Sequence, residues 1–159
     1  MNRFLTIGLI VSNTALLNAS SLTAQGMVVE TEECVNAISS VESQLQSDRN
    51  ITLEQSEINN RNAPGTPPEG RPNQYAFGMG GSAVEGVMSS PVFLNSLATQ
   101  VIDNCSSISS VSFGLWQSGF VSVYGLLPSG EVEPFKCPED YEFNPDTDRD
   151  LVWGEYCAY

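Results

Sequence analysis

Apolar residues recur at three- and four-residue spacing after Ser89, and this pattern predicts a helix over residues 91–105. Its apolar face would consist of Leu94, Leu97, Ala98, Val101 and Cys105. Ser90 stands before the helix with a hydroxyl that can accept a hydrogen bond from a backbone amide, and Pro91 suits the first helical position. The pattern therefore predicts a core helix with a defined start.

The period changes to two after this helix, which predicts short strands at residues 111–115 and 120–124. The loop between them decides which side chains share a face, because a shift of one residue turns every side chain over. A two-residue loop would set Phe113 against Tyr124, whereas a three-residue loop ending in a left-handed glycine would set Phe113 against Val123. We favour the three-residue loop, because it gives one continuous apolar face.

A third strand is predicted after the Pro-Ser-Gly turn at residues 128–130, with Phe135 beside Val123, and residues 74–77 can add a fourth strand. The helix would pack on a face formed by Val111, Phe113, Leu115, Val121, Val123 and Phe135. The predicted fold class is α+β. It is a small antiparallel meander of three to four strands with one packed helix, a second N-terminal helix and a disulfide-stapled tail.

Residues 1–24 have the pattern of a secretory signal peptide, with Arg3 before an apolar stretch and small residues at its end. The stretch is too short, and too often interrupted by polar residues, for a membrane anchor. We therefore expect a periplasmic or extracellular protein that does not insert into a membrane after the signal is removed.

The rest of the chain divides into three segments of different composition. Residues 25–46 are expected to contain the N-terminal helix, capped by Thr31. Residues 47–73 are rich in Pro, Gly and Asn and poor in apolar residues, which predicts a flexible linker. Residues 74–159 would form the α+β domain, with an acidic tail closed by a disulfide.

The charge balance restricts the possible functions. The chain has 19 acidic and 6 basic residues, with a formal net charge of -13, which argues against nucleic acid as a partner. It contains no histidine, the residue most used as a general base and metal ligand.

The alternative enzymatic hypothesis is a small envelope hydrolase that uses paired carboxylates. Its candidate residues are Glu85, Asp103, Glu131 and Glu133.

Four cysteines behind a signal peptide predict two disulfides. Cys105 and Cys137 would lie at opposite ends of the predicted hairpin, about 13 Å apart by strand rise, which is beyond disulfide reach. Two pairings remain: Cys34–Cys105 with Cys137–Cys157, or Cys34–Cys137 with Cys105–Cys157. We favour the first.

The acidic tail has the spacing of a calcium loop. Alternate oxygen-bearing side chains and one distant carboxylate match the ligands of such a loop. These residues are Asn144, Asp146, Asp148, Asp150 and Glu155. Arg149, however, occupies the sharp-turn position that usually takes glycine. A calcium-dependent module through residues 144–155 is therefore a second alternative, and calcium is the only cofactor that the sequence suggests.

Residues 78–83 fit the spacing G-x-G-x-x-A of a dinucleotide-binding turn. Such a turn needs a βαβ unit around it. Because the strands that follow are expected to form hairpins, we expect no dinucleotide site.

Aromatic residues make one strand face a candidate partner surface. In the favoured register, Trp116, Phe120 and Tyr124 point away from the helix. An apolar patch of this kind is rarely left bare. Either the tail covers it, through Tyr141, Phe143, Val152, Trp153 and Tyr156, or it binds a partner. We expect a non-enzymatic binding or interaction module, whose partner would be an unknown envelope protein or a glycan.

Several short segments resemble an uncharacterised group of small secreted proteins of cyanobacterial type. They are Tyr-Ala-Phe-Gly at residues 75–78, Ser-Pro-Val-Phe-Leu-Asn-Ser-Leu-Ala-Thr at 90–99, Asn-Cys at 104–105, Val-Ser-Phe-Gly at 111–114 and Gly-Glu-Val-Glu-Pro-Phe-Lys-Cys at 130–137. The resemblance covers residues 74–137. It implies an envelope location and no particular activity.

Overall fold

In the part of the chain that the structure describes, five strands form one sheet in the order β1-β2-β3-β4-β5, and three helices accompany it. The computed structural model describes residues 30–47, 49–59, 63–139, 141 and 150–157, so the predicted signal peptide lies outside the described residues. The elements are α1 (Glu32–Gln46), β1 (Thr52–Asn59), β2 (Asn73–Gly80), α2 (Val84–Met88), α3 (Pro91–Asn104), β3 (Ile108–Leu115), β4 (Val121–Leu126) and β5 (Val132–Pro134).

The α+β class is confirmed, but the sheet is larger than predicted and is not a pure meander. β2 and β3 pair in parallel, whereas the other neighbouring strands are antiparallel. The two helices α2 and α3 connect β2 to β3, because parallel neighbours need a crossover of this length. The predicted fourth strand is therefore a central strand of a mixed sheet.

β1 lies where the sequence predicted a flexible linker, so that prediction is wrong for residues 52–59. Leu53 and Ile58 both pack against the core, although an uninterrupted strand would place residues five apart on opposite faces. A bulge between Leu53 and Gln55 makes this possible. The same bulge breaks the two-residue period, which hid the strand in the sequence. α1 and β1 thus belong to the same core as β2, α3 and β3.

Both predicted helices are confirmed, and α3 buries the apolar face that the spacing predicted. α3 buries Leu94, Leu97, Ala98, Val101 and Ile102, and α1 buries Cys34, Ala37, Val41 and Leu45. Thr31 caps α1 as predicted, since its hydroxyl accepts from the Cys34 amide at 3.3 Å. The predicted cap of α3 is wrong, because the Ser90 hydroxyl instead donates to the Gly86 carbonyl at 2.9 Å.

Both favoured disulfides are confirmed. Cys34–Cys105 joins α1 to the end of α3, and Cys137–Cys157 ties the tail to the segment after β5. Two disulfides are typical of proteins outside the cytoplasm. Within the described part of the chain, no helix has the length and apolar character needed to span a membrane.

The register between β3 and β4 differs by one residue from the favoured prediction. Phe113 lies opposite Ser122, not Val123, and the Leu115 amide donates to the Phe120 carbonyl at 3.0 Å. The loop therefore has four residues, 116–119. This shift turns β4 over relative to β3. The next turn and pairing are confirmed, because Gly130 is left-handed and the Phe135 amide donates to Val123 at 2.8 Å.

The shifted register exchanges the side chains of β4 between the two faces of the sheet. Tyr124 packs edge-on against Phe113, with ring centroids 5.9 Å apart, in the core under the helices. Val123 and Phe135 lie on the opposite face, so their predicted contact with the helix is wrong. Trp153 and Tyr156 from the tail cover them there. The expected cover by the tail therefore exists, but it lies over β4 and β5.

Candidate functional site

The covered part of the outer sheet face ends before Trp116, where a depression of about 240 Å³ remains open. We call it the Trp116 trough. Its floor carries the small residues of two neighbouring strands, Ala76, Gly78, Ser112 and Gly114. Its rim is formed by Gln55, Trp116, Gln117, Ser118 and Val121. The trough thus combines residues from β1 to β4.

Glycine in the floor allows the indole ring of Trp116 to lie against the sheet backbone. A Cβ atom at Gly78 would stand 2.9 Å from the Trp116 ring and 3.0 Å from the Gln55 Cβ. At Gly114, a Cβ atom would stand 3.1 Å from a methyl group of Val121. Side chains at either position would therefore fill the trough or displace its rim.

The turn after β3 holds Trp116 in place. The Trp116 amide donates to the Met79 carbonyl at 2.8 Å, which ties the turn to β2. Ser118 closes the turn, since its amide and its hydroxyl both donate to the Leu115 carbonyl, at 3.1 and 2.8 Å. The backbone that carries the Trp116 ring is therefore fixed by hydrogen bonds.

Gln117 has a strained backbone at the rim. Its φ of 58° is the one positive value at a non-glycine position in the described chain. A left-handed residue at the third position of a turn is normally Gly or Asn, and such strain is concentrated at functional sites. The strained residue places an amide side chain at the rim, which favours a binding role for this loop.

The polar groups of the trough are neutral. Gln55 donates through its Nε2 to Glu57 at 2.7 Å, and its amide oxygen faces no described donor. Ser112 contributes a hydroxyl to the floor, and none of the described lining residues carries a charge. In a chain with a net charge of -13, this uncharged concave area suits a neutral ligand better than an ionic one.

Two of the three residues of the predicted partner surface are exposed, and the third is buried. Trp116 and Phe120 are exposed, at 41% and 55%, whereas Tyr124 is 2% exposed and belongs to the core. Burial raises the pKa of the Tyr124 phenol. Gln55 and Gly78 complete the site, but the sequence pattern does not predict them, because β1 and β2 lie far upstream of Trp116 and the composition around β1 predicts a linker. The bulge and the parallel crossover left no local signal for them.

The candidate carboxylates lie on separate elements. Glu85 is exposed on α2, Asp103 is exposed in the last turn of α3, and Glu131 is exposed in the turn before β5. Glu133 is half-buried on β5. No one of the four lines the Trp116 trough.

The calcium hypothesis falls mainly on residues that the structure does not describe. Asn144, Asp146 and Asp148 lie outside the described residues, while Asp150 is exposed. Glu155 accepts a hydrogen bond from the Val152 amide at 3.1 Å.

One group of potential metal ligands occurs in the described chain: Glu30, Cys34 and Cys105. Its two sulfur atoms form a disulfide, so they offer no thiolate to a metal.

The glycine-rich stretch does lie in a βαβ unit, so the reason for excluding a dinucleotide site was wrong. Gly78 and Gly80, however, are part of β2 and not of the turn. α2 has only five residues, and Ala83 precedes it without a side-chain cap. Gly81 is left-handed, and a Cβ atom there would stand 2.3 Å from the Asn50 carbonyl oxygen. The glycine at this position is explained by that close approach.

No family model, curated protein or solved structure matches this chain. The resemblance to small secreted proteins stays a prediction. The function is therefore inferred from the geometry of the site.

Proposed function

We propose that this protein is a secreted or periplasmic, non-enzymatic binding module that holds a neutral sugar unit of a glycan in the Trp116 trough. The observation that carries the proposal is the exposed indole ring beside a floor of small residues. The disulfides and the predicted signal peptide support the location.

A sugar ring matches the chemistry of the trough. Its C–H face can pack on the indole of Trp116, and its hydroxyls can reach the amide groups of Gln55 and Gln117. Binding sites generally combine such an apolar surface with a few polar groups that orient the ligand. The volume of about 240 Å³ is small enough to select a single ring over a larger body.

Binding fits the described residues better than hydrolysis. A nucleophile needs a base within hydrogen-bond reach. The Ser118 hydroxyl is engaged in its own turn. It donates a hydrogen bond to the Leu115 carbonyl and accepts one from the Phe120 amide at 3.1 Å. Ser112 lies among glycine and alanine neighbours on the floor. The trough can therefore orient a ligand, and its described lining residues form no assembled catalytic group.

The test is binding of the purified, oxidised protein to an array of neutral and acidic glycans, followed by calorimetric titration with the best neutral oligosaccharide. Trp116→Ala should lower the affinity by about tenfold or more, since stacking on the ring is lost. Gly78→Ala should have a similar effect, because its Cβ would displace the ring.

Gly86→Ala is the matched control, since a Cβ there would meet nothing within 4 Å. Thermal melts of all variants must show folded protein. Binding to no neutral glycan, or unchanged affinity of folded Trp116→Ala, would contradict the proposal.

A further inference from the structure

A second concave region surrounds Arg49, away from the residues of the Trp116 trough. Two adjoining depressions, of about 430 and 560 Å³, share Arg49 and Phe93. We call them together the Arg49 groove. The end of α1, the turn after β2 and the first turn of α3 contribute its walls. These volumes lie in the range of sites that bind small molecules.

The guanidinium of Arg49 is held in a defined position. Its carbon lies 4.8 Å from the centroid of the Phe93 ring, a cation–π contact. Its Nη1 donates to the carbonyls of Gln44 at 2.5 Å and Ser47 at 3.4 Å. Both acceptors engage the same nitrogen, and no described residue accepts from Nε or Nη2. The edge of the guanidinium that binds carboxylates through two parallel hydrogen bonds is thus open.

Charge makes this open edge unusual. The chain has 19 acidic residues, yet among the described residues none forms an ion pair with Arg49. The groove is lined by no described acidic residue. An arginine that is already positioned, and has no carboxylate partner among the described residues, can receive one from a ligand.

The remaining walls define the rest of the ligand. Ser82 accepts a hydrogen bond from the Asn50 Nδ2 at 2.8 Å, so its own hydroxyl hydrogen is available to a ligand oxygen. Ala83, Val87 and Phe93 form an apolar wall. A single arginine and a mainly apolar wall suit a monoanion with an apolar body better than a phosphate dianion.

We propose that the Arg49 groove binds a small carboxylate ligand with an apolar or aromatic body. The carboxylate would accept two hydrogen bonds from Nε and Nη2 of Arg49 and a third from Ser82. The apolar body would lie along Val87 and Phe93. This site is independent of the sugar site proposed above.

The test is a two-dimensional amide NMR titration of the oxidised protein with benzoate at constant ionic strength, with benzyl alcohol as the neutral probe. Benzoate should bind with a Kd of about 1 mM and shift the amides of Ser82, Ala83 and Phe93. Benzyl alcohol should bind at least about fivefold more weakly, because it cannot form the bidentate pair. A lack of saturation by about 100 mM benzoate would overturn the proposal, as would shifts that map elsewhere on the protein.

Variants separate the guanidinium geometry from simple charge. Arg49→Gln should weaken benzoate binding by about tenfold, and Arg49→Lys by severalfold, because lysine keeps the charge but lacks the planar fork. Lys136→Gln is the matched control, since it removes an exposed cation outside the groove. Equal losses in Lys136→Gln and Arg49→Gln would overturn the proposal, as would unchanged affinity in either Arg49 variant. Because the shift map uses the unaltered protein, it decides the question even if a variant fails to fold.

Discussion

Arg71 offers a quantitative test of how the segment before β2 is held to the fold. Its Nη1 donates to three backbone carbonyls at the end of α3 and the start of β3, those of Ile102 at 2.7 Å, Cys105 at 3.1 Å and Ile108 at 2.9 Å. The positive charge also lies at the negative end of a helix dipole. A flexible linker, as the sequence predicted, would have no such anchor.

Replacing Arg71 with methionine removes the donors and keeps most of the apolar stem. Nη1 has two hydrogens, so the three carbonyls share two charged hydrogen bonds, each worth about 1.5–3 kcal/mol. Arg71 is half-buried, and water can therefore replace part of this interaction. We expect Arg71→Met to lower the free energy of unfolding by about 2–4 kcal/mol.

Urea denaturation followed by circular dichroism measures this loss in the oxidised protein. Arg49→Met is the matched control, because it makes the same change of charge at an exposed arginine and should cost less than about 1 kcal/mol. If Arg71→Met and Arg49→Met unfold at the same urea concentration, the anchoring of residues 63–72 by Arg71 is refuted.

Two further predictions test the burial of Tyr124 and the ionisation of the two buried tyrosines. Tyr124→Ala should destabilise the protein by about 3–5 kcal/mol, because its ring lies in the core, whereas the exposed Phe120 should cost less than about 1 kcal/mol when replaced by alanine in the same urea assay. Equal losses would mean that the Tyr124 ring is not buried in the core. Burial raises the pKa of Tyr75 and Tyr124 above 10.0, and for Tyr75 the Ser56 hydrogen bond partly opposes this effect. The contribution of these neutral phenols to the free energy of unfolding is fully present below pH 10. It is lost as the pH rises through the raised pKa values, because the unfolded state then binds fewer protons than the folded state. A spectroscopic titration that finds both phenols ionising at or below pH 10 would contradict this prediction.

The candidate site was partly visible in the sequence. Trp116 and Phe120 could be identified as exposed aromatic residues, because the aromatic run and its flanking turn are local features. Gln55 and Gly78 could not, since they approach Trp116 only after β1 and β2 have joined the sheet. Tyr124 was misplaced by the register, which depends on one loop. The residues of a surface assembled from four strands can therefore be predicted only if every strand pairing is predicted, including the pairings between strands far apart in the sequence.

The loop between β3 and β4 shows why the register of these two strands could not be predicted from the sequence. A glycine at position 119 suggested a left-handed residue there, but the left-handed residue is Gln117. Loops of two, three and four residues all fit the local sequence, and they differ in which side chains become buried. Packing of the Tyr124 ring against Phe113 excludes the three-residue loop, which would place the two rings on opposite faces. The pairing of Phe113 with Ser122 fixes the loop at four residues.

The sequence alone determined the features that depend on neighbours a few residues apart. These are the helices α1 and α3 with their buried faces, the Thr31 cap and the glycine turn before β5. The limited reach of a disulfide reduced the cysteine pairings to two, and the favoured one is the pairing in the structure.

Tertiary structure decided the features that depend on distant pairing: the membership of β1, the parallel contact of β2 with β3, and the faces of β4. Periodicity records which residues share a face within one element. It does not record which element that face meets, because the burial free energy that decides this belongs to the assembled core.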